Sequence, residues 1–463
     1  MEVQSAYYSA DFAYKGFITL STTGRLDHLS TLPQGNNTFF YPSFGLSSVV
    51  SDFIKLPEVI SFFKLRASYA NVKDGLTRST IGSTPSATYP LDYGSNYNSS
   101  YDGPNYANSV GYSIFPSYNN TPGATYSDKL NNPALKPNSS EQIELGLDLN
   151  LFKNRFSADV TYFTSNDGPR IFNRDLSGTT GYTSAIVNGI KTQKMGLEVT
   201  LKGTPIKQNY FKWDAQLNWS TFKETLQEVY NENNVKIDRV PSNYFVSGNS
   251  FAQFIKIGER TDQVYVNTFH RTPQGQIIND AGGRPLVNNR SSLVGYASPD
   301  FVWSLISRFS YKNWGLSFQF DGRVGGTIED YIRRQTFRGG RHIETVEGAL
   351  GAARDFDNQG IKAYIGEGVK IAEGSPTFDQ TTGLITNFDK LKFAPNDIKT
   401  FAQDYVSRFN STPEGNLMSK TFSKLREVTL TYTFPNGVLS KTFIKDTEAC
   451  LMKVLLNTPL GKV

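Results

Sequence analysis

The chain is poor in the residues that carry most soluble chemistry. It has one cysteine, Cys450, and three histidines, His28, His270 and His342, in 463 residues. A single thiol excludes an intramolecular disulfide framework, and three scattered imidazoles do not make a usual zinc site. No uncharged apolar run approaches the roughly 18 residues of a transmembrane helix, which excludes a helical membrane protein. Charge of one sign is also scarce. The net charge is +5, and no stretch combines clustered Lys and Arg with a known nucleic-acid module, so nucleic acid is not an expected partner. G-x-S-x-G, G-x-x-x-x-G-K-[ST], H-E-x-x-H and EF-hand spacings are all missing. There is no catalytic residue to nominate, no metal ligand set and no cofactor, and the chain does not read as an enzyme. The Asp-Gly pairs at Asp74, Asp102 and Asp167 resemble fragments of calcium loops, but Asp-Gly is first of all turn chemistry.

What is present is alternation. Ile143, Leu145, Leu147, Leu149 and Leu151 alternate with Glu144, Gly146, Asp148 and Asn150 up to a turn at Lys153 and Asn154, and Phe156, Ala158, Val160 and Tyr162 lead back. Successive strand side chains point to opposite faces, so each run has one apolar and one polar face. Leu197, Val199 and Leu201 turn at Lys207 and Gln208 into Phe211, Trp213, Ala215, Leu217 and Trp219. Phe301, Trp303, Leu305, Phe309 and Tyr311 turn at Lys312 and Asn313 into Trp314, Leu316, Phe318 and Phe320. Tyr8 to Tyr14 meets Phe17 to Leu26 at Lys15 and Gly16, and Val428, Leu430 and Tyr432 form the last clear run. Several runs reach the about 9–11 residues that a tilted strand needs to cross a bilayer. Aromatics make up 13% of the chain, and Trp219, Tyr311, Trp314 and Phe434 stand near run ends, as interfacial girdles require. The same pattern in a soluble all-β sandwich would place these side chains in a core.

Short turns lie at one end of the runs and long polar segments at the other. Residues 71–139 and 325–418 read as the principal long loops, with further excursions from Asn166 to Asn188 and from Gln227 to Pro299. Tyr97, Tyr101, Tyr106, Tyr112 and Tyr118 stand in a Gly/Ser/Asn background. Such tyrosines either contact sugar rings or peptides, or pack the loop on its neighbours. Arg333, Arg334, Arg338 and Arg341 surround Gly339 and Gly340. Arg338 and Arg341 are candidate contacts to an anionic ligand or to lipopolysaccharide phosphates, and the alternative is a solvated loop face.

Leu135-Lys136-Pro137, then Glu141-Gln142-Ile143-Glu144-Leu145-Gly146-Leu147-Asp148, then Asn154-Arg155-Phe156 and Asp159-Val160-Thr161-Tyr162-Phe163 resemble a barrel hairpin of SusC/RagA-type TonB-linked outer-membrane transporters. Asn188-Gly189-Ile190, Gly203-Thr204-Pro205-Ile206, Ser298-Pro299-Asp300-Phe301 and Phe422-Ser423-Lys424-Leu425-Arg426-Glu427 follow in the family's order, and Phe63-Lys64-Leu65-Arg66-Ala67-Ser68-Tyr69 precedes them. The resemblance extends to about Lys445. It implies an all-β fold, an antiparallel transmembrane barrel of the TonB-dependent receptor type, of which roughly a dozen strands of about 22 are expected here. It also implies a cell outer membrane location, import of glycan oligosaccharides or peptides, a SusD-like surface lipoprotein over the mouth, the TonB complex as energy source and outer-membrane lipid around the barrel.

On this reading residues 1–463 form one partial barrel domain, with long extracellular loops at 71–139 and 325–418. Met1-Glu2-Val3-Gln4 does not open a signal peptide, and no plug precedes the first strand. Thr447 to Val463 departs from the family pattern. The expectation is a truncated or frameshifted piece of a longer protein, inactive alone. The alternative is a soluble or surface all-β glycan-binding protein without transport activity.

Overall fold

The computed structural model describes residues 3–29, 32–74, 112–116, 121–126, 128–229, 237–241, 254–434 and 448–455. Twelve long strands run up and down in one antiparallel sheet. They are β1 (Val3–Tyr14), β2 (Ile18–Leu29), β3 (Thr38–Val49), β4 (Ile60–Asp74), β5 (Asn138–Leu151) and β6 (Phe156–Asp175). Then come β7 (Ser184–Lys207), β8 (Phe211–Glu228), β9 (Phe301–Tyr311), β10 (Trp314–Val324), β11 (Phe422–Thr433) and β12 (Glu448–Leu455). Each pairs with its neighbour in chain order, and a short strand, Lys129–Leu130, pairs in parallel with the start of β7.

The register makes the sheet two-faced from β4 to β11. One row crosses the sheet as Leu65, Leu147, Val160, Val199, Trp219 and Trp303. One pleat away, Phe63, Leu149, Ala158, Leu201, Leu217, Leu305, Phe320 and Leu425 form another. Between them, on the opposite face, Lys64, Asp148, Asp159, Thr200, Asn218, Ser304, Asp321 and Lys424 stand side by side. A one-residue slip in any pair would exchange these faces. The first two rows suit hydrocarbon and the third suits a wet lumen.

Local chemistry fixes the tight turns. Lys15 and Gly16, both at positive φ (49° and 78°), close β1 onto β2 with a Phe17 N–H to Tyr14 carbonyl bond of 3.2 Å. Both central residues in that region are what a tight hairpin needs to match strand twist. Phe152, Lys153 and Asn154 close β5 onto β6 the same way. At this end the rings gather: Tyr14 packs edge-on to Phe17 at 5.6 Å, Trp213 stacks on Phe309 at 5.8 Å, and Trp314 meets Tyr432 at 4.9 Å. Trp219, beside Trp303 in the ladder and 6.0 Å from Phe301, marks the opposite end of the same belt.

Three expectations change. The excursion at Asn166 to Asn188 is largely strand, because β6 and β7 run on past the belt and bury Ile171 and Ile186 against Leu32, Phe39 and Leu135. The Asp167-Gly168 pair is not a turn but lies inside β6, where Gly168 at φ 134° sits opposite a register shift at Ile190. A Cβ there would collide with the Ile190 carbonyl. And although Thr447 to Val463 departs from the family pattern, Glu448–Leu455 continues the sheet, pairing with Glu427–Thr433.

The two faces can be told apart by mutation. Leu147→Arg should cost the full-length barrel about 2–4 kcal/mol, as for a cation placed against lipid at mid-depth, whereas Thr200→Arg on the polar face should cost well under half of that. Denaturant unfolding from liposomes measures both. Equal losses would show that the faces have been assigned wrongly.

Candidate functional site

The polar face of the sheet carries groups of side chains that hydrogen-bond across strands. Arg66 reaches Asp159 at 2.7 Å and Asp148 at 3.5 Å, lying across Gly146, where any side chain would displace it. Asn218 accepts from Thr200 at 3.1 Å and donates to Ser304 at 2.8 Å. Arg426 grips Asp321 through two bonds of 2.8 and 2.7 Å. Nearer the excursions, Asp27 takes Arg25 at 2.7 Å and the Tyr41 hydroxyl at 2.6 Å. Here opposite charges and amides meet, most of them across strands, so the wall is hydrophilic while many of its charges are paired.

Beyond the strands, residues 254–300 and 325–421 fold together into a cap. Gln263–Phe269 and Val287–Tyr296 form a hairpin that buries Val264 and Val266 under Leu417. Three helices follow β10: α1 (Tyr331–Arg338), α2 (Gly348–Asp357) and α3 (Ala402–Ser411). Asp330 caps α1 by accepting from the Arg333 N–H at 2.8 Å. Asp357, at the end of α2, accepts from the N–H groups of Ala402 and Gln403 at 3.0 and 2.8 Å, giving α3 an acidic cap from another element. Leu350, Ala353, Ala402 and Tyr405 form the core between them, and burial pushes the Tyr405 phenol far above its ordinary range.

The two segments are laced together. Ile278–Asn279 pairs in parallel with Val369–Lys370. The Asn279 amide donates to the Glu367 carbonyl at 2.9 Å, and the Asn288 amide to that of Thr382 at 3.0 Å. Glu414 accepts from Arg271 at 2.8 Å and from the Phe269 N–H at 2.5 Å. Gly368, at φ 102°, lies so close to the Ile277 carbonyl that a Cβ could not be built there. The stretch expected as loop at 325–418 thus carries helices and its own cores.

Arg338 and Arg341 are both exposed, and their side chains make no ion pair or hydrogen bond with another described residue. Arg338 lines a cleft of about 510 Å³ between α1, α2 and α3, with Gly339, Gly340, Thr345, Arg354 and Gln403 among its other walls. Arg341 stands at its rim, its Cδ 3.9 Å from where a Gly339 Cβ would be. Arg333 and Arg334 are otherwise engaged: Arg333 pairs with Glu344 at 2.7 Å, and Arg334 lies 3.5 Å from Glu329. Arg354 was missed in the sequence, since α2 could not be placed from it. The apolar stripe Ala402, Tyr405, Val406 and Phe409, at helical spacing, was the available signal for the packing partner α3. Tyr97, Tyr101, Tyr106 and Tyr118 lie outside the described residues, and Tyr112 is described only as backbone in the strand Tyr112–Pro116.

The histidines do not converge. His28 bonds Thr38 at 2.7 Å, His342 packs on Phe337 at 5.7 Å, and His270 lies buried beside Phe378 at 5.2 Å. Asp167 is engaged by Ser140 at 2.5 Å and Ser165 at 3.1 Å, and among the described residues no acidic, His or Cys cluster has metal-ligand spacing.

Burial lowers the His270 pKa. Burial acts to raise the Asp262 carboxyl, but the Arg260 guanidinium and the Ser298 N–H outweigh it and hold the carboxyl below its usual range. The stabilisation from neutral His270 is therefore complete above about pH 6.5 and is lost as the pH falls below that, where the unfolded chain takes a proton that the buried ring refuses. The Asp262 contribution is lost only lower, as the pH falls through its depressed pKa. Hydrogen exchange of the cap amides, corrected for intrinsic rate, should show protection falling between about pH 7 and 5.5, and His270→Gln should flatten that slope. A wild-type profile with no slope in that window would contradict the assignment.

No family model matches the chain. Among curated proteins it is similar to TonB-dependent receptor P3 of Formosa agariphila, 24% identical over 380 residues that cover 77% of this chain and 34% of that protein. TonB-dependent receptor P39 of the same organism is 22% identical over 498 residues, covering 95% of this chain and 40% of that one. The solved RagAB peptide transporter superposes on 98% of this chain with a TM-score of 0.62 at 16% identity, using 44% of the transporter chain. The chain therefore spans well under half the length of each. The strand meander, its lipid-facing rows and these likenesses agree: the chain is part of an outer-membrane β-barrel, with the fold of the RagAB transporter barrel and a similarity to TonB-dependent receptors.

Proposed function

We propose that the protein serves TonB-dependent import of oligosaccharides or peptides across the outer membrane, with this chain as part of the barrel wall and its extracellular cap. The observation that carries the reading is the two-faced meander: apolar rows such as Leu65, Leu147, Val160 and Val199 on one side, and the polar wall of Asp148, Asp159, Asn218 and Asp321 on the other. A soluble glycan-binding protein would have to cover those apolar rows, and among the described residues Leu65, Leu145 and Leu217 remain exposed. The likeness to named receptors and to a peptide transporter supports import, and the substrate could be either class.

In this reading residues 71–139 and 325–418 lie outside the cell, a SusD-like lipoprotein covers the mouth, and a plug coupled to the TonB complex belongs to the longer protein. The piece alone would not transport. Tyr97, Tyr101, Tyr106, Tyr112 and Tyr118 are proposed to touch ligand from one segment, and Arg338 and Arg341 from the other.

The test is deletion of the gene in its host, followed by growth on oligosaccharides or peptides as sole carbon source, with the monomers as control. Growth should slow on one polymer class and not on its monomers, and the intact protein should need detergent for extraction. Unchanged growth on every polymer, with the protein in the aqueous fraction, would favour the soluble binding protein.

A further inference from the structure

We propose that the cleft between α1, α2 and α3 is an oxyanion site, built by Arg338, Arg341 and Arg354, that holds a carboxylate or phosphate group at the outer surface. The inference rests on the proposed outer-membrane reading only for which side of the membrane the cleft faces. Its chemistry stands on the cap alone.

Three arginines stand at one glycine turn: Arg338 and Arg354 line the cleft, and Arg341 stands beside Gly339. α1 ends at Arg338, and the chain reverses through Gly339 and Gly340, the latter at φ 62°. That reversal returns Arg341 against Gly339. From α2, Arg354 reaches the same turn, its Nη1 donating to the carbonyls of Gly340 at 3.0 Å and Thr345 at 3.1 Å. Those two bonds fix the plane of the guanidinium while leaving Nε and Nη2 without a bond to a described residue. Its Nη2 lies 3.2 Å from where a Gly340 Cβ would be, so a side chain there would push the guanidinium aside, and the turn's φ of 62° favours glycine as well. An arginine held by one nitrogen with its other donors open is pre-organised for a planar or tetrahedral oxyanion, since the fork need not be ordered on binding.

The acids nearby are mostly engaged elsewhere, and Arg341 at the rim adds a positive charge to a lining of Arg338, Arg354, Asp355 and Asp357. Asp357 spends both oxygens on the α3 N–H groups, and Glu344, in the short helix between α1 and α2, spends one on Arg333. Asp355 remains on the cleft wall, beside Gln403, whose exposed amide can donate to the same anion. Arg338 and Arg341 have no described partner, so their charge is open to a ligand. A volume of about 510 Å³ admits one charged sugar, one acidic residue or one phosphate headgroup, and no more.

The experiment uses the full-length protein purified in detergent. Binding of tetragalacturonate, tetraglutamate and dispersed lipid A bisphosphate is titrated by calorimetry against wild type and R338Q/R341Q, with a neutral tetrasaccharide as control. Both arginines are exposed and without a partner among the described residues, so the variant should keep the wild-type melting temperature. At least one anion should bind to wild type and weaken ten-fold or more in the variant, with affinity falling as salt rises. An acidic oligosaccharide or peptide responding this way identifies a substrate contact, and lipid A alone responding identifies an outer-leaflet contact. Arg354→Lys, which keeps the charge but loses the fork, should also weaken that ligand. Anion binding that is indifferent to all three arginines, or absent from wild type, would overturn the site. If import fails in cells while the arginine-dependent binding persists, the transport reading falls and the cleft stands.

Discussion

Every peptide group inside a bilayer must find its hydrogen-bond partner within the protein, because hydrocarbon offers none. The rest of this structure depends on that requirement. It explains why β2 to β11 each have a neighbour on both sides. It also explains why sequence neighbours are space neighbours: a meander satisfies each strand from the next with the least chain. Once the ladder is obligatory, the period of two decides everything lateral. A leucine row and an aspartate row one pleat apart are then lipid contact and lumen wall, and register is held because a slip would put Asp148 and Asp159 into hydrocarbon.

The two ends of the strands answer to different constraints. At one end the chain has only to reverse, and residues such as Lys15, Gly16 and Asn154 do so in the left-handed region with aromatic rings clustered around them. At the other end the chain leaves hydrocarbon, and the rules become those of a soluble protein. Buried valines, capped helices and asparagines donating to carbonyls hold the cap, as in any water-facing core. The polar cluster of Arg260, Asp262 and Tyr296, with the guanidinium 3.9 Å from the ring, marks the root of the first cap segment near the strand tops.

The barrel was legible in the sequence because its signal is local. Alternation over Ile143 to Leu151 and Phe156 to Tyr162 specifies strand, face and turn without knowledge of anything distant. The cap was not, and 325–418 was read as loop. Its helices are short, its strands are two to ten residues long, and its cores are filled from segments far apart: Ile278 with Val369 and Leu391, Val264 with Leu417. No window of sequence contains such a core. Arg338 and Arg341 were legible as a basic run, but Arg354 could be added only when α2 was placed beside the glycine turn. The extension of β6 and β7 was missed for a related reason, since Asn166, Asp167, Gly168 and Pro169 read as a break. The opposing bulge in β7 absorbs it.

The lacing of the cap also acts on the barrel. The parallel ladder between Ile278 and Val369 joins a segment that precedes β9 to one that follows β10. Closing it encloses the whole β9–β10 hairpin in a loop whose ends are already pinned, so the hairpin cannot leave its neighbours without opening the cap. Loop-closure entropy grows only slowly with length, and once β8, β9, β10 and β11 are paired little of that cost remains for the ladder. Each structure therefore lowers the entropic cost of the other. Glu414, which holds both Arg271 and the Phe269 N–H, and Lys420, which reaches the Ala297 carbonyl at 2.8 Å, make the same connection at the strand tops. A force or ligand acting on the three-helix side of the cap is consequently borne by four staves of the wall rather than by one loop.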